Sequence, residues 1–199
     1  LEVTGDAKYA ELVETCLYNS ILSGISLDGK KYFYTNPLRI SADLPYTLRW
    51  PKERTEYISC FCCPPNTLRT LCQAQNYAYT LGSEGIYCNL YGANTLTTNW
   101  KDKGEIALTQ KTAYPWEGNV RVEFDRVPRK AGAFSLFLRI PEWCEKAMLT
   151  VNGELVPVAA KANTYAEVKR TWKKGDVVEW VMDMPVRLLE AHPLAEEIR

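Results

Sequence analysis

Between residues 7 and 22 the side chains of Tyr9, Leu12, Val13, Cys16, Leu17, Ser20 and Ile21 recur three and four positions apart, which predicts an amphipathic helix. Gly24 is placed to stop it. From Ile25 to Trp50 the pattern shortens. Leu27-Asp28-Gly29-Lys30 predicts a turn between two strands, the second over residues 31–35, and Asn36-Pro37 and Leu44-Pro45 break up the remainder of that stretch. A second helix is predicted from about Pro64 to Leu81. Leu68, Leu71, Cys72, Gln75, Ala78 and Tyr79 form one stripe on it, and Gly82 is its C-terminal stop.

After Gly85 the helical period disappears. Alternating or β-rich runs cover residues 86–91, 105–112, 119–124, 134–140, 147–151, 164–169 and 177–182. Turn signals separate them, notably Val151-Asn152-Gly153-Glu154 and Lys173-Lys174-Gly175-Asp176, and the spacing predicts an antiparallel β-sandwich. The fold class expected is therefore α+β and multidomain: a helical part over residues 1–84 and a β part over 85–199, packed closely for want of a linker.

Composition narrows the function. With 199 residues, 46% of them hydrophobic, the chain can bury a substantial core. Lys plus Arg and Asp plus Glu balance at 24 each, so no net field draws it to nucleic acid or to an acidic membrane surface, and its apolar stretches are far too short to span a bilayer. Neither nucleic acid nor membrane is expected as a partner.

Seven cysteines, unevenly placed, do not make a secreted disulfide framework. Cys16, Cys72, Cys88 and Cys144 are expected to be small buried apolar residues. Cys60, Cys62 and Cys63 are different, because thiols at x, x+2 and x+3 suit a soft metal better than a core. Pro64 and Pro65 belong in a first helical turn, where a missing N–H leaves nothing unpaired. That places Cys62 and Cys63 at a helix N-terminus, where the helix dipole favours the thiolate.

The run Cys60-Phe61-Cys62-Cys63-Pro64-Pro65-Asn66 resembles the CxCCPPN signature of glycoside hydrolase family 127, the β-L-arabinofuranosidase-like group. The likeness extends through TGDAKYAELVETCLYNSILSGISLDGKKYFYTNPL, EGIYCNLYGAN, YPWEG at 114–118 and FSLFLRIPEWCEKAMLTVNGE at 134–154. It continues in YAEVKRTWKKGD and MPVRLLEAHPL. The resemblance implies the last helices of an (α/α)6 barrel followed by β-sandwich material, and a zinc-dependent retaining glycosidase site. On it, Cys62 is the nucleophile and a zinc ligand and Cys63 is a further ligand. Cys60 lies in the site without a settled role, and Tyr34 contacts substrate. Coordination to zinc would deprotonate the thiols.

The family's other zinc ligands, a Glu-x-Cys element, and its general acid/base are expected upstream of residue 1. Glu14-Thr15-Cys16 has the right letters but aligns with an ordinary helical run. The chain is thus expected to be part of a larger enzyme, inactive alone, acting on a plant-derived oligosaccharide and partnered by the missing N-terminal barrel region. Uncovered apolar helix faces invite association, and a homodimer is left open. The compartment is open between bacterial cytoplasm and periplasm, since a targeting segment would precede residue 1. His192 is expected to be a hydrogen-bonded residue rather than a ligand. Two rival readings remain: a non-catalytic carbohydrate-binding or packing β-sandwich, with tryptophans such as Trp116 as sugar platforms, and a purely structural zinc knuckle.

Overall fold

Asp6 begins the first helix by accepting a hydrogen bond from the Lys8 N–H at 3.1 Å, and α1 runs over Ala7–Thr15. Its buried residues, Ala7, Ala10 and Glu14, lie three and four apart on one face. The helix then widens into a π-helical stretch, Cys16–Ile21, and closes with a 3-10 turn, Leu22–Gly24, so the predicted helix and its stop at Gly24 are both present. The computed structural model describes residues 3–35, 41–43 and 47–195. The predicted breaks at Asn36-Pro37 and Leu44-Pro45 lie outside the described residues.

Among the described residues no strand pair flanks the turn at Asp28-Gly29. The turn itself forms, with Gly29 at φ +72°, but only isolated bridges join Tyr32 to Ile25 and to Thr55. Side chains take the amides that a ladder would need. Ser26 Oγ accepts from Lys31 N–H at 2.9 Å and Asp28 Oδ1 from Lys30 N–H at 3.1 Å.

The second helix, α2, spans Cys63–Gln73, continues as a 3-10 segment over Ala74–Tyr77, and gives way to a strand, β1, at Tyr79–Leu81. The predicted extension to Leu81 is corrected by a hairpin. β1 pairs antiparallel with β2, Gly85–Cys88, and Gly82 N–H donates to Gly85 O at 2.9 Å. Gly82 therefore turns a hairpin rather than capping a helix, and cross-strand pairing overrides the helical stripe at Ala78 and Tyr79.

Eight more strands follow: β3 (Asn94–Trp100), β4 (Gly104–Thr112), β5 (Asn119–Arg126), β6 (Phe134–Ile140), β7 (Ala147–Val151), β8 (Glu154–Val156), β9 (Thr164–Arg170) and β10 (Val177–Met182). All seven predicted runs fall on strands, and β1, β3 and β8 are additions. The strands form a four-stranded sheet, β1-β2-β6-β9, and a six-stranded sheet, β3-β4-β5-β10-β7-β8. Among the described residues every strand pairing is antiparallel except β2 with β6. The β7–β8 turn carries Asn152 at φ +52° and Gly153 at φ +83°, the left-handed pair that a tight hairpin needs.

Two compact units result. The first comprises residues 1–91, 131–142 and 163–171, with both helices and the four-stranded sheet; the second comprises 92–130, 143–162 and 172–199, with the six-stranded sheet. In the second, Trp180, Phe124, Ile106, Leu108 and Leu149 are fully buried, and Phe124 stacks on Trp172 with ring centroids 4.5 Å apart.

In the first unit Ile86, Phe134, Leu136, Leu138 and Ile140 form the core, and Arg139 is buried among them. Its guanidinium reaches Glu11 and Glu14 of α1, each at 2.5 Å, and Nε donates to Asn89 O at 2.5 Å. Burial works against the charge of Arg139, yet Glu14 and Glu11 hold its pKa above the ordinary value. This ion pair fastens α1 to β6.

Candidate active site

The sequence at the start of α2 answers what two prolines do after a cysteine pair. Cys62 is the N-cap, Cys63 the first helical residue, and Pro64 and Pro65 complete the first turn. Neither proline has an N–H, so the Cys63 amide is the one left there facing the cap. Asn66 fixes the cap, giving both its backbone N–H (3.2 Å) and its side-chain amide (2.8 Å) to Cys62 O.

Across from this end stands Tyr34. Its hydroxyl lies 3.1 Å from Cys62 Sγ and 3.5 Å from Cys60 Sγ, while Cys62 Sγ lies 3.4 Å from Cys63 Sγ. The four residues singled out in the sequence, Tyr34, Cys60, Cys62 and Cys63, therefore meet in one cluster. The Tyr34 ring rests on Trp50 with centroids 4.0 Å apart. Arg54 anchors the backbone behind it, donating to Ser23 O at 3.0 and 2.5 Å with its guanidinium over the Phe33 ring. Trp50 and Arg54 escape the sequence reading, because nothing in their spacing ties them to Tyr34.

The contacts set an order of acidity within the vicinal pair. The Tyr34 hydroxyl, donating to the ionised sulfur, holds Cys62 below the usual thiol range, with Cys63 helping. Cys63 moves the other way, because its proton serves the Cys62 sulfur and a second negative charge beside the first is unfavourable. Tyr34 stays protonated well above its ordinary range through its bonds to Cys60 and Cys62. Of the pair, Cys62 thus ionises first. It is exposed, and a cleft of about 220 Å³ lined by Tyr57, Phe61, Pro64 and Leu68 opens beside Cys60.

Two thiolates on one tetrahedral zinc, each at ~2.3 Å, stand ~3.8 Å apart. The 3.4 Å between Cys62 Sγ and Cys63 Sγ is close to that, so the pair fits two of the four positions. Among the described residues no group of three or more His, Cys, Asp or Glu side chains is arranged to hold a metal ion. Glu14 is committed to Arg139. His192, exposed, accepts the Leu194 N–H on Nδ1 at 3.2 Å.

The remaining cysteines divide. Cys88 and Cys144 are buried as expected, and burial pushes the Cys88 thiol up to about 12. Cys16 and Cys72 are exposed, contrary to expectation. Cys72 lies on α2, which has no buried residue, so its predicted apolar stripe is uncovered and Leu68 is 45% exposed.

Comparison with known proteins bears on this cluster. The profile of the "Beta-L-arabinofuranosidase, GH127 catalytic domain" matches residues 1–76, and that of the "Beta-L-arabinofuranosidase, GH127 middle domain" matches residues 85–184. A "Non-reducing end beta-L-arabinofuranosidase" of Bifidobacterium longum subsp. longum is 32% identical over 162 residues, 77% of this chain and 24% of that protein. A solved structure described as "Glycoside hydrolase" is 89% identical with TM-score 0.93, covering 100% of this chain and 33% of that one. The crystal structure of a GH127 beta-L-arabinofuranosidase from Geobacillus stearothermophilus T6 is 36% identical with TM-score 0.83, covering 98% of this chain and 31% of the other. The chain therefore spans about a quarter to a third of the length of the relatives it matches.

Proposed function

Since the chain belongs to glycoside hydrolase family 127, the β-L-arabinofuranosidase family, we propose that it supplies the nucleophile, Cys62, to a retaining hydrolysis of β-L-arabinofuranosides of plant-wall glycans. It does so as part of a longer enzyme. Residues 1–84 then contribute the last helices of an (α/α)6 barrel, and residues 85–199 contribute β-sandwich material. The observation that carries the reading is the Tyr34 hydroxyl 3.1 Å from Cys62 Sγ, at a sulfur whose pKa its neighbours lower.

The chemistry runs in two displacements. The Cys62 thiolate attacks the anomeric carbon, forming a C–S bond as the bond to the leaving oxygen breaks, and that oxygen takes a proton from an acid outside this chain. Water then attacks the same carbon, the C–S bond breaks, the electron pair returns to Cys62 and the water proton goes to a base. Two inversions give net retention, as in retaining glycosidases that use a carboxylate. Tyr34 serves both steps by donating to the sulfur whenever it is anionic, and Trp50 keeps the phenol in place. Cys62 and Cys63 are the residues here that would hold a zinc ion, which when bound would keep both thiols ionised.

Replacing Cys62 with serine in the longer enzyme should abolish release of arabinose from an aryl β-L-arabinofuranoside while leaving substrate affinity nearly intact. NMR of the wild-type product should show the β anomer first. Residual turnover near the wild-type rate in C62S, or initial release of the α anomer, would sink the reading. Metal analysis of the same proteins should find about one zinc per chain, lost when Cys63 is replaced by serine.

A further inference from the structure

The loop joining β4 to β5, residues 113–118, is held by hydrogen bonds at both ends and at Trp116. Tyr114 N–H donates to Thr112 Oγ1 at 3.0 Å, and the Thr112 hydroxyl donates to Asn119 O at 2.5 Å. Trp116 N–H donates to Ala113 O, and Met182 N–H to Gly118 O, both at 2.9 Å. Gly118 lies so close to the end of β10 that a Cβ there would stand 2.0 Å from Met182 O. Within this frame Trp116 is 88% exposed. A loop this well tied could have tucked its indole inward; it holds the ring out instead, leaving a large apolar surface in water.

The indole borders a groove of about 470 Å³. Met148 and Met184 give it an apolar floor, and both are substantially exposed. Glu117, Lys146 and Asp183 stand on its rim. Among the described residues no hydrogen bond or ion pair occupies these three side chains. A second cleft of about 360 Å³ shares Met148 and Val181 with it and is lined also by Arg121 and Glu179. The lining thus combines apolar surface with two exposed carboxylates and an ammonium. A sugar ring suits both parts. Its C–H face lies against the negative face of the indole, and its hydroxyls donate to carboxylates and accept from the ammonium.

We propose that Trp116, with Met148, Met184, Glu117, Lys146 and Asp183, forms an oligosaccharide-binding site on the second unit. It rests on the carbohydrate class of the family and uses no residue of the cysteine cluster.

The test is calorimetric titration of the 199-residue chain with linear arabinotriose, xylotriose and cellotriose at millimolar concentrations. Wild type should bind at least one of them. W116A, with an unchanged circular dichroism spectrum, should bind it about tenfold more weakly or not at all, and E117Q/D183N should be weakened less. Equal binding by W116A and wild type overturns the proposal, as does the absence of binding by wild type. Neither outcome bears on the cysteine cluster, whose test is the activity of C62S in the longer enzyme. Repeating the titration on the longer enzyme is the last arm. Loss of Trp116-dependent binding there would identify the indole as a packing contact and overturn the site.

Discussion

At the scale of single residues, the cluster turns on one phenol. Removing the Tyr34 hydroxyl takes away the largest influence lowering Cys62. In Y34F the pH profile of Cys62 alkylation by iodoacetamide, followed by peptide mass spectrometry, should therefore move to higher pH. At neutral pH the reaction should be slower than in wild type, and in wild type Cys63 should react after Cys62. An unchanged profile would remove Tyr34 from the mechanism. The buried thiols behave oppositely: of seven cysteines, Cys88 and Cys144 should resist Ellman's reagent until denaturant is added, while the other five react in the native chain. The cysteine run was legible because three thiols and two prolines leave few alternatives. Trp50 was not, because ring stacking between positions 34 and 50 depends on a backbone path that no local pattern encodes.

At the scale of elements, the seven β runs with alternating or continuous apolar residues announced themselves, since one buried face imposes period two. The three strands that did not were short or polar. β3 reads Asn-Thr-Leu-Thr-Thr-Asn-Trp on a sheet edge and buries only Trp100, so its pattern carries little hydrophobic signal. β1 was hidden inside a helical stripe. The parallel pairing of β2 with β6 was invisible too, because it joins residues about fifty positions apart, yet it sets a tight demand. A Cβ on Gly85 would lie 1.9 Å from Ser135 O. Gly85→Ala should therefore prise β2 from β6 and destabilise the first unit by on the order of 3 kcal/mol, measurable by urea unfolding. A change under about 0.5 kcal/mol would mean that the sheet tolerates the shift.

At the scale of the whole molecule, the Arg139 ion pair decides what can fold alone. Arg139 sits on β6, whereas Glu11 and Glu14 sit on α1. Expressed without residues 1–84, the β part would lose both carboxylates and the helix that carries them, and breaking a buried pair costs roughly 3–5 kcal/mol. That truncated piece should be insoluble or lack a cooperative thermal transition, where the 199-residue chain melts cooperatively. R139M in the intact chain should be destabilised by a similar ~3–5 kcal/mol, because it strands two carboxylates. A soluble, cooperatively melting truncation would show that the pair is dispensable. None of this was readable in advance, since Arg139 looks like any other arginine flanked by Leu138 and Ile140.

The two units are threaded rather than strung. The chain leaves the first unit after residue 91 and returns to it twice, for 131–142 and for 163–171, before ending in the second. A gene broken anywhere between residues 92 and 171 would hand each descendant an incomplete sheet. A cut after residue 91 keeps the second unit whole and one after residue 171 keeps the first, but each carries strands of the other unit along. No single cut separates the two units, so one crossover cannot move either of them cleanly into another protein.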